Sequence, residues 1–275
     1  MILVDQLLEQ KRAPLVMGVI NCTPDSFYAN SRKQEVYAAS AAAEKMIRDG
    51  ADIIDIGGES TRPGAAYVEE EEELKRIIPV VRAVARLGAL VSVDTRKSRT
   101  AYEAIQAGAS IINDISALKE DESIADVIIQ AGCGTVLMHK KGIPLFMQEN
   151  PFYNDAVQEI KNDLEAFAAA AVEKGIDRKR IIIDPGIGFG KRVSDNLAII
   201  KNLAVFRETG YPVLIGCSRK SFIGAVTGRE TEERLSGSLA AGLLAALNGA
   251  HILRVHDVKE TKDAIMIMHA VSDAD

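Results

Sequence analysis

Asp184 follows three isoleucines, Ile181, Ile182 and Ile183, and precedes Pro-Gly-Ile-Gly-Phe-Gly-Lys, which ends at Lys191. Consecutive β-branched apolar residues suit a strand buried on both faces. Proline and glycine then stop it, which leaves a carboxylate at the strand's carboxyl end. Gly186, Gly188 and Gly190 let the loop pass close to a ligand, with Phe189 as a stacking surface and Lys191 as a cation. The arrangement recurs along the chain. Other apolar runs lead to Asn21, Asp94, Asn113, His139, Lys220, and Arg254 with His256. Asp94, Asn113 and Asp184 suit a flat, nitrogen-rich heterocycle with several N–H groups. Lys220, Arg219, Arg254, His256 and Arg62 supply cations for phosphate or carboxylate. No Ser-His-Asp arrangement or His/Glu metal cluster stands out. The chemistry implied is group transfer on a heterocycle with an anionic leaving group, driven by positioning and charge stabilisation.

These residues need a scaffold that brings strand ends together. Strands are expected at 15–20, 52–56, 89–93, 110–112, 134–138, 181–183, 212–215 and 251–255. Helices are expected between and after them, at 35–49, from 69 past Val81, and at 98–107, 123–131, 155–174, 195–207, 234–247 and 258–269. The acidic run from Glu69 to Glu73 reads as a solvated face complementing the helix dipole, and Pro79 should kink that helix. Alternation of this kind specifies a parallel sheet. Eight units in about 250 residues is the count of a (β/α)8 TIM barrel, whose active sites lie at the carboxyl ends of the strands. A doubly wound sheet would call for a dinucleotide fingerprint, and the Gly-x-Gly-x-Gly here follows Asp-Pro with the wrong spacing. The expectation is one domain over 1–275, with its core at about 15–270.

A net charge of −6 and the lack of a basic stripe argue against a nucleic-acid surface. Apolar runs break well before membrane-spanning length and the N-terminus carries no signal pattern, so the cytoplasm is expected, with no membrane partner. Cys22, Cys133 and Cys217 lack metal-ligand spacing and read as small buried thiols.

From Leu15 to the last helix the chain resembles the dihydropteroate synthase family. The matching blocks are Asn-Cys-Thr-Pro-Asp-Ser-Phe (21–27), Asp-Ile-Gly-Gly-Glu-Ser-Thr-Arg-Pro-Gly (55–64), Val-Asp-Thr-Arg-Lys (93–97) and Ile-Asn-Asp-Ile (112–115). Asp-Pro-Gly-Ile-Gly-Phe-Gly-Lys (184–191), Ser-Arg-Lys-Ser (218–221) and Arg-Val-His-Asp-Val (254–258) follow in order. The resemblance implies a pterin-binding barrel that joins 6-hydroxymethyl-7,8-dihydropterin diphosphate to para-aminobenzoate, giving 7,8-dihydropteroate and diphosphate. It implies that Asp94, Asn113, Ile115, Met138, Asp184, Phe189 and Lys220 bind the pterin. Asn21, Arg62, Arg254 and His256 would hold the diphosphate, with Asn21 also on Mg²⁺. Phe27, Thr61, Pro63, Phe189, Lys220 and Ser221 would line the aminobenzoate site. Lys220, Arg254, His256 and Asp184 would carry a dissociative reaction in which diphosphate leaves before the amine attacks. Sulfonamide competition and a homodimer are implied as well.

Two segments depart from the family pattern. Tyr28-Ala29-Asn30-Ser31-Arg32 stands where Ser-Asp-Gly-Gly is usual, which bears on closure of the first loop. Lys140-Lys141-Gly142 replaces Met-x-Gly after His139, and solvated lysines are expected there. Two other functions fit a pterin pocket. A methyltetrahydrofolate-binding methyltransferase module shares the barrel but has no use for the Ser-Arg-Lys-Ser and Arg-Val-His blocks. A non-catalytic pterin-binding paralogue would not need Asn21, Lys220, Arg254 and His256 together.

Overall fold

A computed structural model describes residues 4–12, 14–22, 32–60, 67–142, 147 and 151–274. The chain opens with helix α1 (Val4–Gln10), strand β1 (Leu15–Asn21), α2 (Arg32–Arg48), β2 (Ile53–Gly57) and α3 (Glu70–Ala85). Then come β3 (Leu90–Asp94), α4 (Ser98–Ala107), β4 (Ile111–Asp114), α5 (Ser123–Ala131), β5 (Gly134–Met138) and α6 (Ala156–Glu173). The last part holds β6 (Ile181–Asp184), α7 (Val193–Lys201), α8 (Leu203–Arg207), β7 (Leu214–Ile215), α9 (Ser221–Thr227), α10 (Leu235–Leu247), β8 (Ile252–Val255) and α11 (Val258–Ser272). All strand pairs are parallel, in the order β6-β5-β4-β3-β2-β1-β8-β7. A parallel bridge between Ile183 and Val213 joins the two ends, so the eight strands form the expected (β/α)8 barrel.

Side chains of a strand alternate between its two faces, and here that period of two places the site. One face carries Ile54, Ile56, Val91, Val93, Ile112, Leu137, Ile183 and Leu253 into the layer beneath the helices. The other face points into the barrel. Leu15, Met17, Ile53, Ile111, Val136, Ile182, Leu214 and Ile252 form a separate buried cluster there, a solid plug. Two residues further along the same faces stand Asp55, Asn113, Met138, Asp184 and Arg254. The plug is therefore the floor beneath the polar pocket. Helix α1, which was not expected, adds Leu7 to this cluster.

Other departures have local causes. The single helix expected over 195–207 is two, divided at Asn202 (φ −110°, ψ 30°), whose side-chain amide donates to the Ala198 carbonyl at 2.8 Å. Helix α3 continues through Pro79 to Ala85. Glu73 does not belong to a solvated face: it is buried beside Leu74 and Ile77 and accepts from Lys97 Nζ at 2.6 Å. Helix α9, which was not expected, ends at Gly228 in the left-handed region.

Ile182→Ala should cost about 2–5 kcal/mol, because a hole in the plug has little room to collapse. Urea denaturation with an unchanged m-value would measure it.

Candidate active site

The base of the pocket is a set of ion pairs between strands. Asp55 on β2 is fully buried. Its Oδ2 accepts from Arg254 Nε on β8 at 2.7 Å and from Asn113 Nδ2 on β4 at 3.3 Å. Arg254 Nη2 also donates to Asp94 Oδ2 on β3 at 3.1 Å. Burial works against the Arg254 charge, but the Asp55 and Asp94 carboxylates outweigh it and raise its pKa. Asp94 is pushed up to about 7, by burial first, against the pull of Arg254. Asn21, Gly57, Asp94 and Asn113 are register partners in turn, which puts all four at one level of the carboxyl ends.

Strand β6 and its loop build the opposite wall. Burial raises the Asp184 pKa, and Asp184 Oδ1 accepts from the Gly186 amide at 2.7 Å. Gly186 (φ +71°) has no space for a side chain, since a Cβ would lie 2.0 Å from the His139 carbonyl oxygen. The loop then carries Phe189 beneath Lys220, whose ammonium lies 4.3 Å from the ring centroid. Ile115, Met138 and Phe189 come together as expected, joined by Met147, in a small apolar cluster of their own. Lys220 is drawn down to about 8, by burial and then by Arg254.

Several expected residues have other tasks. His139 is engaged through both ring nitrogens, with Lys191 Nζ 3.1 Å from Nδ1 and Asp163 Oδ2 3.1 Å from Nε2, and it stacks on Phe167. Burial and the Lys191 charge hold it near pKa 2, so it is neutral. Arg219 (φ +57°) is not free for an anion, because it forms a two-pronged pair with Asp257 at 2.6 and 3.1 Å. His256 is neutral rather than a cation. Burial, then Arg254, brings it to about 4, while Ser218 Oγ lies 3.0 Å from Nδ1. Ser221 is exposed at the start of α9. Phe27, Thr61, Arg62 and Pro63 lie outside the described residues, as do Tyr28, Ala29, Asn30 and Ser31.

Sequence reasoning passed over Asp55, Met147, Glu59 and the structural role of Lys191. At the rim, Glu59 pairs with Arg96 at 2.6 Å and with Lys97 at 3.1 Å. Arg96 continues to Glu120 at 2.6 Å, and Glu120 pairs with Lys140. Lys140 is thus a largely covered member of a rim network, not a solvated lysine. Lys141 donates to the Phe152 carbonyl at 2.6 Å. Cys22 and Cys217 are each pushed up to about 12 by burial, which leaves them inert thiols at neutral pH. Among the described residues no group of three or more His, Cys, Asp or Glu could hold a metal ion.

A barrel with three acceptors and two cations above an apolar plug, walled by a stacking face, has the make-up of a heterocycle-binding enzyme. The pterin binding enzyme family matches residues 17–256, and the chain belongs to that family. It is 45% identical to the dihydropteroate synthase of Escherichia coli K12 over 95% of this chain and 93% of that one. The solved structure of the Xanthomonas albilineans dihydropteroate synthase with 4-aminobenzoic acid superposes with a TM-score of 0.90 at 44% identity, covering 96% and 95% of the two chains. The same enzyme in complex with 7,8-dihydropteroate gives 0.87 at 42% identity, with the same coverage. The Yersinia pestis dihydropteroate synthase in a sulfonamide drug complex gives 0.89 at 41%, covering 95% of each. Within the family, the chain's place is among the dihydropteroate synthases.

The raised Asp94 pKa has a consequence for stability. The folded carboxyl holds its proton well above the unfolded value of about 4, so the stability it contributes is complete below that value and is lost as pH rises through about 7. Wild-type protein should therefore lose stability relative to Asp94→Asn between about pH 5 and about pH 8, read by urea denaturation at each pH.

Proposed function

We infer that the pocket couples 6-hydroxymethyl-7,8-dihydropterin diphosphate to para-aminobenzoate, releasing diphosphate and giving 7,8-dihydropteroate for folate biosynthesis. The observation that carries the reading is the convergence of Asp94, Asn113, Asp184 and Lys220 over the wall of Ile115, Met138 and Phe189. The acceptors suit the N–H edges of a pterin, and Lys220 suits its carbonyl and ring nitrogen. Phe189 and Ser221 would meet the aminobenzoate beside the same ammonium.

The reaction breaks the bond between the pterin methylene carbon and the diphosphate oxygen, and the electron pair leaves on oxygen. The aminobenzoate nitrogen then supplies the pair for the new C–N bond and sheds a proton to diphosphate or water. A methylene cation conjugated to the pterin lies between these two events. Asp55, Asp94 and Asp184 surround two cations, Arg254 and Lys220. An excess of acceptors aimed at a site where positive charge develops is the electrostatic requirement of that path. No nucleophile is needed, in keeping with the inert thiols. His256 would give an Nε2 hydrogen to the departing diphosphate in the tautomer whose Nδ1 accepts from the Ser218 hydroxyl.

A Mg²⁺ ion fits this site as a companion of the diphosphate. Asn21 offers one hard amide oxygen at the end of β1, and Mg²⁺ on phosphate keeps most of its ligands from phosphate and water. Asn21 would hold it, and its chemistry would be charge neutralisation of the leaving group. A homodimer is supported by the exposed apolar residues of neighbouring helices α10 and α11, Leu244, Leu247, Met266, Ile267 and Val271. A cytoplasmic setting agrees with three free buried cysteines. No helix among the described residues is long and apolar enough to cross a membrane.

Protein mixed with pterin diphosphate, para-aminobenzoate and Mg²⁺ should release diphosphate and dihydropteroate in equal amounts. Pterin binding without product would instead support a non-catalytic paralogue. Lys220→Ala should impair the use of both substrates. Wild-type turnover should also fall above about pH 8, as the ammonium loses its proton, and Lys220→Arg should flatten that limb. Wild-type kinetics in Lys220→Ala would refute the assignment. Leu247→Lys should lower the mass seen by sedimentation equilibrium from dimer to monomer; a wild-type monomer would contradict the homodimer.

A further inference from the structure

Asp55 is the most deeply buried carboxylate of the pocket, and stability alone does not account for it. It sits among Ile53, Ile54 and Ile56, fully enclosed, and its Oδ1 has no hydrogen-bond partner among the described residues. A carboxylate buried with an unmatched oxygen destabilises the fold relative to an apolar side chain of the same size. Such a cost points to a task at the site.

The task follows from the donors that Oδ2 receives. A carboxylate accepts only, so the end of the Asn113 amide that faces Asp55 at 3.3 Å is the NH₂ end. The carbonyl oxygen is then fixed at the other end of the amide plane. Arg254 is pinned in the same way. Its Nε meets Asp55 and its Nη2 meets Asp94, so carboxylates on neighbouring strands set the plane of the guanidinium. With Asp55 gone, Arg254 would turn wholly to Asp94 and neutralise an acceptor that the ligand needs.

We propose that Asp55 is a positioning residue, which orients Arg254 and fixes the Asn113 side chain so that Asn113 turns a carbonyl oxygen to the bound heterocycle. This rests on the pterin reading of the pocket. It makes the pocket select rings that present an N–H or NH₂ at that edge and reject isosteres that present a lone pair there, through an unmatched acceptor.

Substitutions at both ends of the contact test it. Calorimetric titration of 6-hydroxymethylpterin should show Asp55→Asn weakened about tenfold, since the Asn113 amide can then flip. Asp55→Leu should be weaker still, because neither Arg254 nor the Asn113 amide then meets an acceptor at position 55. Asn113→Asp should also be worse than Asp55→Asn, because it sets two carboxylates against each other. Asp94 faces Arg254 and Lys220 as cations and Asp55, Glu73 and Asp114 as carboxylates. Loss of the Asp55 charge should therefore also move the acid limb of pterin binding to lower pH. Thermal melts confirm that each variant is folded. Asp55→Asn or Asp55→Leu at wild-type affinity overturns the proposal while the pterin reading stands. A wild-type protein that does not bind the pterin removes the reading and the proposal together.

Discussion

The Arg254 guanidinium, pinned between Asp55 and Asp94, is the constraint on which the pocket depends. It joins β8 to β2 and β3 across the inside of the barrel, linking residues 199 positions apart in the chain. A cation at this depth is tolerable only when carboxylates meet it with good geometry, and those carboxylates are costly without the cation. Neither partner could be replaced alone without leaving a buried charge unmatched. The arrangement is therefore held as a unit, and Asn113 is drawn into it through the same Asp55 oxygen. A rigid base of this kind keeps acceptors in place while charge develops above it, which is how preorganised polar groups outperform water.

The division between floor and pocket comes from one strand period. Plug residues such as Ile53, Ile111, Ile182 and Ile252 precede Asp55, Asn113, Asp184 and Arg254 by two positions, and a strand returns to the same face every second residue. The apolar layer excludes water from below and makes each pair above it stronger than it would be at a surface. Four of the eight strands thus deliver their stability and their chemistry on the same face, one pleat apart.

Much of this was legible in the chain. The alternation of apolar runs and amphipathic stretches specified eight strand–helix units, and polar residues closing those runs marked Asp94, Asn113 and Asp184, with Arg254 near the end of the last. What escaped was hidden by the same logic. Asp55 lies inside an apolar run rather than at its end, so it reads as part of a strand; its signal was a lone charge among isoleucines at the spacing of an inward face. Met147 stands in no regular element, and no period could place it against Phe189. The roles of His139, Arg219 and Glu73 were misjudged because a strand-end or helix position does not say which partner is within reach. That depends on the neighbouring element, and Lys191, Asp257 and Lys97 come from 52, 38 and 24 residues away.

The rim explains how the chain absorbs one of its departures from the family pattern. A lysine at position 140 adds a cation beside the pocket, where it could compete for the diphosphate. Here Glu120 takes it, and Glu120 is itself bound to Arg96, which is bound to Glu59. The chain of pairs crosses the loops after β2, β3, β4 and β5, so the added charge ties the rim together rather than standing free in it. On the far side of β5, Lys191 bonds the carbonyls of His139 and Phe189 and the His139 ring. One buried ammonium thereby locks the glycine-rich loop to its neighbour. The stacking face of Phe189 is held from beneath, and the loop's glycines provide close approach rather than mobility.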